Sequence, residues 1–334
     1  MYVNRFTERP RPVRLVLAAL TVWLLLALLP APVATAIPDS RSRRLPDGRP
    51  GLPLEVPEAS IRPLRQLIDR SFQSAFERRL RRNPLWNRLI NQKRMAVGLV
   101  DLSDPENIRY ARVNGNRMMY AASLPKLAIL LAAEQHIADG RLLETDPIRE
   151  DMRAMIARSD NGAATRIFNM VGGSRAIERV LRDPRYALYD PDNGGGLWVG
   201  KPYAKGGKRY PDPVMGTSHG ASVTQVCRFY YLLAMGRLVD REHSASMLDM
   251  MIDPEVHHKF VNSLDSLAPR ADVYRKSGTW RRWHSDSVLV WGPEWRRYIA
   301  VALIEDPNGE RILRNLLPVL EEILLQQGNA RRKS

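Results

Sequence analysis

Residues 120–138 read YAASLPKLAILLAAEQHIA, and the fold is decided by how this stretch is built. Pro125 fits the first turn of a helix, where its missing N–H costs nothing. The run from Leu127 to Ala133 then continues as a strongly apolar helix. Ser123 falls at the N-terminus of that helix, where the dipole favours developing negative charge. Lys126 comes three residues later, one turn away on the same face. A lone lysine among apolar neighbours is costly when charged, and burial can lower its pKa by up to about 3–5 units. A neutral Lys126 could then take a proton from Ser123. The plainer reading makes Ser123 an ordinary N-cap and lets Lys126 reach solvent along its stem. The chain holds 8 lysines, and only Lys126 has a serine at this spacing.

Outward from this helix, Met95–Leu102 and Ile108–Val113 read as two strands joined by a turn at Ser103-Asp104-Pro105. Upstream of them, Ile61, Leu64, Ile68, Phe72, Phe76 and Leu80 recur at helical spacing, and Asn83-Pro84 should end that helix. Its polar face is arginine-rich. This permits either a membrane-surface helix or packing of the apolar stripe on the following domain. Downstream, Ile148–Ala157, Ala163–Val171, Arg175–Arg182 and Val223–Leu238 predict helices. The glycine- and proline-rich residues 190–213 predict a long loop. Val273–Ser277, Ser287–Trp291 and Tyr298–Ile304 read as strands, and Ile312–Leu325 as a closing helix. The simplest assembly is one sheet made from both ends of the chain, with a helical middle inserted.

Two more clusters carry chemistry. Ser159-Asp160-Asn161 precedes the helical run Ala163–Met170, a position that any of the three would suit as a cap. Lys276-Ser277-Gly278-Thr279 stands at the end of a predicted strand, where a lysine can meet a substrate carboxylate and a glycine lets a ligand approach the backbone.

Each cluster alone is ambiguous. Together and in this order, Ser-x-x-Lys, Ser-Asp-Asn and Lys-Ser-Gly resemble the signature of class A serine β-lactamases and penicillin-binding proteins. The resemblance runs from about residue 90 to 327. It implies an α/β (α+β) fold, with a mainly antiparallel sheet flanked by helices and an inserted all-helical subdomain at about 123–217. It implies that Ser123 forms an acyl-enzyme with a β-lactam or a D-alanyl peptide, and that Lys126 accepts its proton. Ser159 would relay a proton to the leaving nitrogen. Asn161 would orient Lys126 and bind the substrate amide, with Asp160 structural. Lys276 and Ser277 would bind the substrate carboxylate, and the N–H groups of Ser123 and Thr279 would form the oxyanion hole. The family's Glu-x-x-Leu-Asn run, whose glutamate activates the deacylating water, is missing here. Asp190, in Asp190-Pro191-Asp192-Asn193, is its nearest equivalent, and simple turn chemistry is the competing explanation. The segment between Ser123 and Ser159 is also shorter than in typical class A enzymes.

Charge and termini bound the rest. The net charge is +15, but residues 1–94 carry 18 basic and 7 acidic side chains, whereas 95–330 carry 30 and 29. A basic flank of this kind suits an anionic membrane leaflet or wall polymer rather than a nucleic acid, and equally a solvated basic surface with no specific partner. Residues 1–36 read as an export signal. Arg5, Arg9, Arg11 and Arg14 precede the apolar run Leu15–Leu29, and Ala34-Thr35-Ala36 offers a cleavage site. The expectation is export, in a bacterium to the periplasm, with an uncleaved anchor as the alternative. Residues 37–57 read as a Pro/Arg-rich linker, followed by a catalytic domain over 58–330. The single cysteine, Cys227, can form no internal disulfide, and no cofactor or metal motif is found.

Overall fold

The computed structural model describes residues 51–331 apart from Glu294. The expected export signal and the first part of the linker therefore lie outside the described residues. The end of the linker is no free tether: Leu52 and Leu54 are buried, and the Leu54 N–H donates to the Ala234 carbonyl at 3.1 Å.

The single helix expected from Ile61 is divided. Leu64–Leu67 form a 3-10 turn, and Ile68 bridges to Tyr110. Helix α1 (Arg70–Arg81) starts only where the Asp69 carboxylate accepts from the Phe72 N–H at 2.7 Å. Its stripe Phe72, Phe76 and Leu80 is fully buried in the domain, which is the packing alternative of the two. Asn83 then caps α2 (Pro84–Asn91), with Pro84 in its first turn, so the pair that ends one helix also opens the next.

Strands β1 (Met95–Asp101) and β2 (Arg109–Val113) follow, then the short β3 (Met119–Tyr120). The helical middle comprises α3 (Lys126–Ala138), α4 (Asp146–Ala157), α5 (Asn161–Met170) and α6 (Gly173–Arg182). The long loop is more ordered than its composition predicts. Within or beside it lie β4 (Tyr189–Asp190), β5 (Gly195–Gly196), β6 (Trp198–Val199) and β7 (His219–Ala221). Strands β4 and β5 form a hairpin, and β7 joins β3 to β6. The inserted middle is thus mainly helical but not wholly so. Two- and three-residue strands are too short to leave an alternating pattern in sequence.

The chain continues through α7 (Val223–Ala234), α8 (Arg241–Met251) and α9 (Phe260–Leu267). It closes with β8 (Asp272–Trp280), β9 (Trp283–Trp291), β10 (Arg297–Glu305) and α10 (Gly309–Arg331). The main sheet has the order β2-β1-β10-β9-β8, with every pairing antiparallel. Both ends of the chain build it, and β8 is left as an edge.

Alternation along the strands divides the core in two. In β10, Tyr298, Ala300, Ala302 and Ile304 face the layer holding α1, α2, α9 and α10. Ile299, Val301 and Leu303 face α7 and the helical middle. Gly98 permits that second contact, because any side chain there would stand 2.5 Å from Val223 Cγ1 and 2.8 Å from Cys227 Sγ. Cys227 is fully buried at this seam, and burial raises its thiol pKa. Among the described residues, no helix is long and apolar enough to cross a membrane.

Candidate active site

Helix α3 is buried on all sides over its first three turns, and Lys126 stands at its start with no exposed surface. Its Nζ donates to the carbonyls of Ser159 and Asp160 at 2.6 and 3.2 Å, and to Asn161 Oδ1 at 2.8 Å. Three carbonyl-type acceptors suit a charged amine, whereas burial suits a neutral one. Burial prevails over the neighbouring Asp160 charge and brings Lys126 down to about 7.

The loop entering α5 makes this meeting possible. Asp160 caps the helix by accepting from the Ala163 N–H at 2.6 Å. Ser159 takes a φ of 59°, a left-handed conformation that non-glycine residues rarely hold. From the other side comes β8. Lys276 is buried, and its Nζ donates to Ser159 Oγ at 2.9 Å. Burial, with the Lys126 charge adding to it, holds Lys276 well below the usual lysine range. Ser159 Oγ therefore sits between two lysine amines, with Lys126 Nζ at 3.5 Å.

Ser123 is partly exposed and lies in the turn leading into α3, its carbonyl accepting from the Lys126 N–H at 3.2 Å. Ala122, just before it, also holds a positive φ of 51°. The edge strand runs hard against this backbone. A side chain at Gly278 would collide with the Ala121 carbonyl and stand 2.7 Å from the Ser123 nitrogen. Ser285 Oγ on β9 ties the two together by donating to the Ala121 carbonyl at 2.9 Å. Of the other residues singled out on β8, Ser277 is buried with its Oγ 3.4 Å from His258 Nε2, and Thr279 is exposed. Burial, reinforced by Arg275, lowers His258 to about 4.

The glycine-rich stretch supplies a different neighbour from the one expected. Asp190 spends its carboxylate on its own turn. Its Oδ1 accepts from the Asp192 N–H at 3.1 Å and its Oδ2 from Asn193 Nδ2 at 2.7 Å. The acidic charge acting on Lys126 is that of Asp160. Asp190 couples to Arg65 instead. The residue the stretch places beside Lys126 is Tyr203, whose ring centroid lies 4.6 Å from Nζ. Its hydroxyl donates to the Ala122 carbonyl at 2.9 Å, and its ring packs on His219 at 4.3 Å. Tyr120 and Trp283 add an edge-on pair nearby. His284, noted in the sequence beside Asp286, is buried against Gly309.

Two buried basic groups, one on β8 and one packed against it, carry no motif. Arg275 forms a buried bidentate pair with Asp286 at 2.8 and 2.9 Å. Lys259, with no exposed surface, donates from Nζ to the Gly278 carbonyl at 2.7 Å, Thr279 Oγ1 at 2.8 Å and the Ser285 carbonyl at 3.1 Å.

The sequence profile of a family described as the beta-lactamase enzyme family matches residues 144–317. That span contains Ser159–Asn161 and Lys276–Thr279, and begins after Lys126. No curated protein matches the chain. Among solved structures, PBP-A is similar at 18% identity and a TM-score of 0.56, over 84% of this chain and 100% of that one. A beta-lactamase from Sphaerobacter thermophilus is similar at 15% and 0.58, over 78% and 97%. A variant class A beta-lactamase of the last common ancestor of Gram-negative bacteria is similar at 16% and 0.55, over 72% and 97%. At these identities the likeness is one of fold.

Proposed function

The chain belongs to the beta-lactamase enzyme family, and from that premise we propose that it is an exported serine hydrolase that forms an acyl-enzyme on Ser123 with β-lactams. The observation carrying the reading is that Lys126, one turn from Ser123, donates to the Ser159 carbonyl and to Asn161 Oδ1 while Lys276 donates to Ser159 Oγ. In this reading Ser123 Oγ attacks the lactam carbonyl and its proton passes to neutral Lys126. The tetrahedral oxyanion lies between the N–H groups of Ser123 and Thr279, each worth roughly 2.7–4 kcal/mol in comparable sites. The C–N bond then breaks as Ser159 passes its proton to the leaving nitrogen and is reprotonated through the adjoining amines. Lys276 and Ser277 hold the substrate carboxylate.

A second reading, a D,D-peptidase or penicillin-binding sensor whose adduct persists, is favoured by one contrast. Tyr203 faces Lys126, and Asp190 is engaged in its own turn. A solved variant of PBP-A is itself an acyl-enzyme with penicillin G. Intact mass after penicillin exposure separates the readings. An adduct that decays supports a β-lactamase, and one that persists supports the peptidase or sensor. Complete absence of an adduct across several β-lactams would overturn both. Export through residues 1–36 and contact of the basic flank with a membrane or wall are part of the same proposal. N-terminal sequencing of secreted protein checks the first, where retention in the cytoplasm would refute it.

A further inference from the structure

We propose that Lys259 is a positioning residue for the oxyanion hole: its ammonium, held on the Gly278 carbonyl, polarises the Gly278–Thr279 peptide so that the Thr279 N–H becomes a stronger donor. The inference rests on the reading of Ser123 as the nucleophile.

The geometry carries it in three steps. First, the Gly278 C=O and the Thr279 N–H belong to one planar trans unit and point in opposite directions. The Gly278 carbonyl receives Lys259 Nζ at 2.7 Å and Ser285 Oγ at 3.3 Å, so it faces β9. The Thr279 N–H therefore points off the outer edge of the sheet, where β8 pairs with no further strand of the sheet and Ile252 bridges to it at Tyr274, five residues away from Thr279. Ser123 lies against the same end of β8, with its nitrogen 2.7 Å from where a side chain at Gly278 would begin.

Second, the amine is held by more than chance packing. Its three donors meet three acceptors, the Gly278 and Ser285 carbonyls and Thr279 Oγ1. The backbone of Lys259 holds a φ of 55°, and the next residue is pinned by the Phe260 N–H donating to Asp286 Oδ2 at 3.1 Å. A strained backbone is kept only where its surroundings over-determine it.

Third, hydrogen bonds polarise one another in a low-dielectric interior, and charge-assisted ones are about twice as strong as neutral ones. A cation on the carbonyl draws electron density through the amide and leaves its N–H more positive. Burial lowers Lys259 to about 8, so it keeps its proton at neutral pH.

The test is the infrared carbonyl stretch of the penicillin acyl-enzyme, isolated with a ¹³C-labelled lactam carbonyl, together with the acylation rate constant. In Lys259→Met the stretch should move to higher frequency and acylation slow by about tenfold, with non-covalent affinity unchanged. Lys259→Gln, which keeps a neutral donor, should fall between. A Met variant with wild-type frequency and rate would overturn the proposal. Should it fail to fold, Gln decides alone, and an unshifted stretch there overturns it equally. No adduct on the wild-type chain would refute the role of Ser123 itself, a result distinct from an adduct that forms but does not respond to Lys259.

Discussion

The junction of α3, α5 and β8 and the stretch from Asp190 to Tyr203 both border Lys126, but they are built on opposite principles. At the junction, buried polar atoms are committed to one another across three elements, with Ser159 Oγ between two lysine amines. In the loop, the Asp190 carboxylate is committed to its own turn, and an aromatic ring is turned to the lysine. Forming an acyl-enzyme and releasing it are separate tasks, and in the proposed reading the junction serves the first while the loop bears on the second.

The contrast can be broken most directly at the nucleophile. Ser123→Ala should abolish the penicillin adduct altogether, as read by intact mass. Next, Lys126→Met should slow acylation by about 10²–10⁴, the span of general-base catalysis. Persistence of the wild-type rate would remove Lys126 from the chemistry. The pH profile sharpens the same point. With Lys126 near 7 and active only when neutral, acylation should fall about tenfold from pH 8 to pH 6. A flat profile would mean that another group takes the proton.

On the loop side, Tyr203→Ala should shorten the adduct's lifetime by about tenfold, since water could then reach Lys126. A lengthened lifetime would show that the ring assists release. Asp190→Asn should do least, changing release less than about twofold and stability by roughly 1 kcal/mol or less, the range for a local cap. A collapse of turnover in that variant would restore Asp190 as the water-activating base.

The two regions also differ in how far the sequence reveals them. Ser123, Lys126, Ser159, Asn161 and Lys276 lie in short motifs on long, strongly patterned elements. The motifs single these residues out, but Lys126, Ser159 and Asn161 belong to the helical middle and only Lys276 to the sheet, so their meeting is decided by how the two pack. Tyr203 and Lys259 have no such signal. Tyr203 sits in a stretch whose strands are two residues long, and Lys259 precedes a helix of only eight residues, about two turns of pattern. Helix α2 was hidden because the Pro84 that marks an end also fits a beginning.

The sequence by itself determined the long strands and helices, one sheet built from both ends of the chain and the spacing of serine and lysine, because these follow from local periodicity and from turns of one helix. Only the tertiary structure decided what each lysine meets. Lys126 is drawn towards neutrality by burial, Tyr203 rather than Asp190 is set beside it, and Lys259 is brought under Gly278 from 19 residues away. Desolvation and long-range hydrogen bonds depend on which surfaces close over a group, and no local pattern specifies that.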